Sequence, residues 1–202
     1  MKVIGLTGKT GAGKSSVARL LSEWGIPVID CDVVARGVTG GLLPELEAAF
    51  PGVVRGGELD RAALAKKAFG SAAGTAKLNA ITHPAVLREV ERRLRALAAA
   101  KTPPPAAVVD GAALIESGFA DRCDLLVAVT APEEVRLARL LARDGRSEEE
   151  LRRRMAAQRE DAFYTERADL VIENSGESAA LRPAVEQLIA RLESAEKGKN
   201  QG

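Results

Sequence analysis

Histidine and cysteine are scarce in this chain, long apolar runs are missing, and neither sign of charge dominates; each shortage removes a class of function. The only histidine is His83, so a metal centre made of several histidines is excluded, and a serine–histidine hydrolase would have to be built on that one residue. No Gly-x-Ser-x-Gly elbow accompanies it. The two cysteines, Cys31 and Cys123, belong to no Cys-x-x-Cys pair, which predicts a reducing compartment and small-apolar packing roles for both. No apolar stretch approaches the length of a membrane span. Lysine and arginine number 29 against 28 acidic residues, a net charge of +1. A nucleic-acid footprint or an anionic-membrane surface normally carries a basic excess, so neither partner is expected. No internal repeat or linker marks off a second domain.

What is present is a strand, a glycine-rich loop and a helix at the very start. The 202 residues, 46% hydrophobic, suffice for one sizeable core and a single domain with a small insertion. Val3 to Leu6 reads as a buried strand and Ser16 to Leu21 as the opening of a helix. Between them Gly8-Lys9-Thr10-Gly11-Ala12-Gly13-Lys14-Ser15 fits Gly-x-x-x-x-Gly-Lys-[Ser/Thr], the phosphate-binding P-loop. Glycines let the backbone take positive φ and approach a phosphate closely, while successive N–H groups and the helix N-terminus form a concave positive field. Gly11, Ala12, Gly13, Lys14, Ser15 and Ser16 are therefore the candidate nucleotide-binding residues. Lys14 is placed to neutralise the β- and γ-phosphates, and the Ser15 hydroxyl to ligand Mg²⁺. Because Met1-Lys2-Val3-Ile4-Gly5 runs straight into the P-loop strand, a removable signal peptide is not expected, and the setting predicted is the cytoplasm.

Three further acids stand at strand ends. Pro27 to Ile29 reads as a second strand, closed by Asp30-Cys31-Asp32; acids there point into the crevice where open parallel sheets bind ligands. Asp30 suits a cap on the following helix. Asp32 is assigned the functional role, since paired carboxylates facing a phosphate loop are costly unless a metal, an arginine or a hydroxyl substrate needs one. Ala106 to Val109 is a third strand, ending in Asp110-Gly111. Asp110 suits either a cap on the next helix or a Walker-B-like acid that holds Mg²⁺ through water.

From Val33 to Ala100 the pattern is mostly helical: an amphipathic segment over Leu42 to Phe50, a helix capped by Asp60, and another over Ala76 to Ile81. A boundary at His83-Pro84 is expected, because a residue before proline is biased out of the α region. A long amphipathic helix with Val86, Val90, Leu94 and Leu97 on one stripe then follows. So much helix between two strands exceeds an ordinary crossover, and residues about 33–100 are read as an insertion for a second substrate. Leu125 to Val129 is the fourth strand; Thr130-Ala131-Pro132-Glu133 predicts a capping-box helix start with proline in the first turn. That helix carries Arg136, Arg139 and Arg143. A second, capped at Ser147, carries Arg152, Arg153, Arg154 and Arg159. The pair, about 139–160, suits a lid over a triphosphate, with Arg139 and Arg143 as the candidates for charge stabilisation. The other reading is an exposed helix pair laced by Glu–Arg contacts, to which most arginines of the second helix belong. Asp169 to Ile172 is the fifth strand and Ala179 to Leu192 a closing helix over the sheet; residues 194–202 are expected to fray.

Several of these segments recur together in one family. The P-loop, Asp30-x-Asp32 with Ala35-Arg36, Leu59-Asp60-Arg61, Leu78-Asn79-x-Ile81-Thr82-His83-Pro84, Arg143-Asp144-Gly145, Arg154 with Ala157-Gln158, and Ala168-Asp169-x-x-Ile172-x-Asn174-Ser175-Gly176 occur in that order. In combination they resemble the dephospho-coenzyme A kinase family over nearly the whole chain. The resemblance implies an α/β P-loop NTPase fold like that of nucleoside monophosphate kinases: a five-stranded parallel sheet flanked by helices, with a helical substrate insertion and a lid. It implies too that ATP and Mg²⁺ serve to phosphorylate the 3′-hydroxyl of dephospho-CoA. Asp32 then falls beside that hydroxyl and His83 near the CoA substrate. The chain departs from the family where Gly111-Ala112-Ala113-Leu114-Ile115-Glu116 replaces the frequent Pro-Leu-Leu-x-Glu, and where Arg167 is the nearest counterpart of a lysine before the last strand. A kinase for another small hydroxyl or nucleotide acceptor is the rival enzyme reading. A GTPase-like switch is disfavoured by the lack of an Asn-Lys-x-Asp tetrapeptide. No pattern in the sequence speaks to oligomeric state.

Overall fold

The computed structural model describes residues 1–176 and 181–199, the last helix with its side chains only as far as 192. The expected fraying of 194–202 therefore falls outside the described residues, apart from helical backbone running to Lys199. The chain forms two compact units, Met1–Ile29 with Leu97–Gly202, and Asp30–Ala96. In chain order the elements are β1 (Lys2–Thr7), α1 (Lys14–Glu23) and β2 (Val28–Asp30), followed by α2 (Cys31–Val38), α3 (Leu43–Ala49), β3 (Val54–Arg55), β4 (Glu58–Leu59), α4 (Arg61–Ala68) and α5 (Ala72–Ala98). The chain then continues through β5 (Ala106–Asp110), β6 (Leu125–Thr130), α6 (Glu133–Asp144), α7 (Glu148–Ala156), α8 (Asp161–Thr165), β7 (Leu170–Glu173) and α9 (Leu181–Lys199).

Five strands make one parallel sheet in the order β2-β5-β1-β6-β7. In its central register Ile4 lies opposite Val108 on one side and Leu125 on the other, and Val129 lies opposite Ile172. Such strands are covered on both faces, which is why they read as unbroken apolar runs rather than alternating ones. Val17, Leu20 and Leu21 of α1 and Leu181, Val185 and Leu188 of α9 pack on Ile4, Leu6, Val108, Val127 and Ile172. Each of these fully buried aliphatic side chains contributes about 1.5–3 kcal/mol. Gly5 is glycine for space: a Cβ there would stand 2.8 Å from Cys123 Sγ and 2.9 Å from Leu126 Cδ1. Cys123 thus has the packing role expected of it, and burial, with Asp124 and Asp121 beside it, pushes its thiol up to about 12. Neither cysteine forms a disulfide. A smaller cluster of Leu137, Leu140, Leu151 and Met155 joins α6 to α7, and α8 packs against β6.

The unit Asp30–Ala96 has its own core of Leu46, Phe50, Val53, Leu64, Ala68 and Leu78. It is mostly helical, as the sequence pattern suggested, with one hairpin that the pattern did not show. β3 and β4 form an antiparallel hairpin across Gly56 and Gly57, whose φ values of 59° and 83° are the left-handed pair a tight two-residue turn requires. The Glu47 carboxylate accepts from the Gly52 and Val54 amides at 2.6 and 2.7 Å, and these bonds hold its pKa below the usual value. Asp60 caps α4 as expected, accepting from the Ala63 amide at 2.9 Å.

The expected boundary at His83-Pro84 is absent: α5 runs unbroken from Ala72 to Ala98 with Pro84 inside it. Proline removes one amide donor and crowds the preceding turn, but helix nucleation has already been met upstream. Burial of Leu78, Ala85, Val86 and Val90 on either side holds the two halves in one helix. Pro84→Ala is accordingly expected to raise the unfolding free energy by about 1–3 kcal/mol, measured by urea titration. An unchanged or lower midpoint would mean that the proline is accommodated without loss. Two other starts and stops also differ from expectation. Pro132, not Thr130, is the N-cap of α6 and no side chain caps it, since Thr130 is still in β6. α7 ends at Ala156, so Arg159 lies outside it, and α8 is an additional helix.

Candidate active site

The P-loop leaves the carboxyl end of β1 and turns into α1. Gly8, Gly11 and Gly13 all have positive φ, at 133°, 77° and 97°. At Gly8 and Gly13 no other residue fits: an added Cβ would stand 2.2 Å from the Val129 carbonyl oxygen and 1.9 Å from Asn174 Nδ2 respectively. The Ala12 amide bonds across the loop to the Lys9 carbonyl at 3.2 Å, closing it into a tight turn. Gly13 caps α1 without a side-chain hydrogen bond, and the first turn of the helix carries no acid. The positive end of the helix dipole is thus left uncompensated by the helix itself, which is what an anion site at a helix start needs. Lys14 folds back over the loop, its Nζ donating to the Gly8 carbonyl at 3.0 Å. Ser15 and Ser16 stand in the first turn behind it, Ser15 exposed.

Around the loop, side chains from later elements grip its main chain. Lys9, 9% exposed, pairs with Asp161 of α8 at 3.2 Å, and the Thr10 amide donates to Gln158 Oε1 at 3.2 Å. Asn174, after β7, donates from Nδ2 to the Ala12 carbonyl at 2.8 Å. Arg139 of α6 donates to the carbonyls of Gly11 and Ala12 at 3.3 Å each. Its other terminal nitrogen bonds Asn174 Oδ1 at 3.0 Å. Asp110 closes β5, the strand beside β1, and is half-buried.

The two lid candidates, expected to act alike because they share a helix face, stand differently. Arg139 is bonded to loop carbonyls, whereas Arg143 is exposed and forms a two-pronged pair with the neighbouring Asp144 at 2.5 and 3.2 Å. That pairing holds the Asp144 carboxyl below its ordinary pKa, with Arg154 at 3.6 Å adding to the effect. On α7 the Glu–Arg lacing is present: Arg152 reaches Glu148, Glu134 and Glu133, and Arg153 reaches Glu149. Exposed pairs of this kind are screened by solvent and add little to stability.

Asp32 and His83 belong to the second compact unit. Asp30 caps α2, its Oδ1 accepting from the amides of Asp32 and Val33 at 2.8 and 3.0 Å, so the structural part of the Asp-x-Asp pair is Asp30. Asp32 stands in the first turn of α2 with an exposed side chain, and His83 is half-buried in α5. Sequence reasoning gave no role to Asp161 or Lys9 and quoted Asn174 and Gln158 only as family residues. The available signal was their position: Asn174 directly follows a strand parallel to β1 and β6, at the sheet end where the loop lies.

A P-loop with its lysine and serine, set at the carboxyl end of the first strand of a five-stranded parallel sheet, defines a P-loop NTPase fold. The profile of the dephospho-CoA kinase family matches residues 2–180, and the chain belongs to that family. A dephospho-CoA kinase of Deinococcus radiodurans is 45% identical over 194 residues, covering 94% of this chain and 92% of its own. Among solved structures, a Thermus thermophilus protein superposes with a TM-score of 0.81 at 37% identity, covering 95% of this chain and 97% of that one. A dephospho-CoA kinase from Campylobacter jejuni, at 20% identity with a TM-score of 0.69, covers 96% and 98% and shares the fold. Among the described residues no helix is long and apolar enough to cross a membrane.

Proposed function

We propose that the chain transfers the γ-phosphoryl group of ATP to the 3′-hydroxyl of dephospho-CoA, giving ADP and coenzyme A. The observation that carries this reading is the P-loop of Gly8 to Ser15, with Lys14 folded over it and the N-terminus of α1 open, in a chain of this family. In the transfer, the hydroxyl oxygen bonds to the γ-phosphorus as the bond from that phosphorus to the β,γ-bridging oxygen breaks. The hydroxyl proton passes to Asp32, and ADP leaves. Little covalent chemistry is asked of the protein; positioning and charge stabilisation supply the acceleration. The amides of Gly11, Gly13, Lys14 and Ser15 hold the β- and γ-phosphates, those of Ala12 and Ser16 being bonded to the Lys9 and Gly13 carbonyls, and Lys14 shifts from the Gly8 carbonyl to them. Arg143, released from Asp144 as the lid of residues 139–160 closes, faces the transferred group. His83 contacts the acceptor.

Magnesium fits the residues present. It retains several waters and binds through one or two protein oxygens with substrate phosphates, and the Ser15 hydroxyl and Asp110 carboxylate are offered as that pair. No set of three or more His, Cys, Asp or Glu among the described residues is placed to hold a metal. When bound, Mg²⁺ neutralises charge on the β- and γ-phosphates. A cytosolic setting suits an ATP-using enzyme whose two cysteines form no disulfide.

The acceptor is tested by steady-state assay with dephospho-CoA, AMP, adenosine and shikimate in parallel. The expected result is a kcat/KM for dephospho-CoA exceeding the others by about a hundredfold or more, the discrimination a site built around substrate polar groups achieves. Equal turnover of several acceptors would overturn the assignment of substrate.

A further inference from the structure

Arg139 is half-buried and bonded to the phosphate loop. Every hydrogen bond described for its guanidinium ends on the Gly11 and Ala12 carbonyls of the loop, the Asn174 and Gly176 carbonyls, or Asn174 Oδ1, at 3.0 to 3.3 Å. Asn174 is 4% exposed and fixed by its own amide, which donates to the Thr130 carbonyl at 2.8 Å. Its Nδ2 reaches the same Ala12 carbonyl at 2.8 Å. One loop carbonyl therefore receives two donors, from α6 and from the end of β7, and these two residues are bonded to each other.

The consequence follows from the planarity of the peptide unit. In a trans peptide the carbonyl and the next N–H point in opposite directions. Holding the Ala12 carbonyl outward, against Arg139 and Asn174, turns the Gly13 N–H the opposite way, toward the mouth of α1 where an anion binds. Without that restraint, a loop with glycines in the left-handed region at 11 and 13 has many conformations to lose on binding. Ordering it beforehand raises affinity by cutting that loss. The close approach of Asn174 to Gly13 shows how tightly the two surfaces meet.

We propose that Arg139 and Asn174 form a brace that holds the P-loop in its phosphate-binding shape, making both positioning residues for the nucleotide. The proposal rests on the reading of this loop as the nucleotide site. It replaces a direct contact of Arg139 with the transferred phosphoryl group, since the guanidinium is already spent on main-chain carbonyls.

The test uses the full chain and calorimetric titration with two probes, ATP and inorganic tripolyphosphate, on the unaltered protein, Arg139→Ala, Asn174→Ala, the double variant and Arg139→Lys. Thermal melting identifies any variant that fails to fold; Arg139→Lys, which keeps the charge but cannot span two carbonyls, then stands in for Arg139→Ala. Each single variant is expected to lose about tenfold in affinity for both probes, the scale of one charge-assisted hydrogen bond. The double variant is expected to lose little more than either single one, because both act on one carbonyl. In turnover, the KM for ATP rises while the KM for dephospho-CoA and kcat stay within about twofold. Variants that bind tripolyphosphate as the unaltered chain does would overturn the brace, and weakened ATP alone would mark a contact with the base instead. A fall in kcat at unchanged KM for ATP would return Arg139 to the transferred group. An unaltered chain that binds neither probe would overturn the nucleotide-site reading itself, and the brace with it.

Discussion

Lys14→Ala is expected to lower kcat/KM by about a hundredfold or more with the protein still folded, the loss that follows removal of one preorganised electrostatic contact. The Lys14 ammonium is the only side-chain charge within the P-loop's Gly-Lys-Ser segment, and it already lies over the loop, 3.0 Å from the Gly8 carbonyl. Its removal takes away a fixed positive charge from beside the β- and γ-phosphates, where charge develops during transfer. Lys14→Arg should recover little, because a planar guanidinium does not replace a compact ammonium inside a closed loop. Near-normal turnover in Lys14→Ala would remove the loop from the mechanism. Parallel melting curves separate this from destabilisation, since the half-buried Lys14 contributes no core packing.

The second large effect belongs to Asp32. Asp32→Asn keeps the size and the exposed position of the side chain and keeps the Asp32 amide on the Asp30 cap, but removes the carboxylate proposed as the base. Turnover should fall by about 10²- to 10⁴-fold, the range for losing a general base. ATP affinity should stay within about twofold, as no residue of the loop is altered. Loss of ATP binding in step with turnover would make Asp32 a structural residue. Asp30→Ala is the companion variant: it removes the helix cap, including the bond to the Asp32 amide, at about 1 kcal/mol of stability, and leaves the Asp32 carboxylate itself in place.

The parts legible from sequence were those in which local chemistry and tertiary packing agree. The P-loop strand and helix, the five apolar runs of the sheet, and the caps at Asp30, Asp60 and Ser147 each follow from residue type and spacing, and all are found. The hairpin of β3 and β4 was hidden because strands of two residues leave no alternation to detect, although Gly56-Gly57 was a readable turn. Pro84 misled for the opposite reason: a local breaker was outweighed by apolar burial along α5. Arg139 and Arg143, four residues apart, are indistinguishable by spacing. What separates them is the partner opposite, loop carbonyls for one and Asp144 for the other, and spacing along one helix carries no information about that.

The most direct measurement is ³¹P nuclear magnetic resonance of the purified chain with ATP, Mg²⁺ and dephospho-CoA, followed to completion. A new phosphomonoester resonance should grow in one-to-one proportion with ADP, coupled to the ribose 3′-proton, and it should not appear when Lys14→Ala or Asp32→Asn replaces the unaltered protein over the same time. ADP that accumulates at the same rate with and without dephospho-CoA, or a phosphoryl group found on any other atom of the acceptor, would contradict the account.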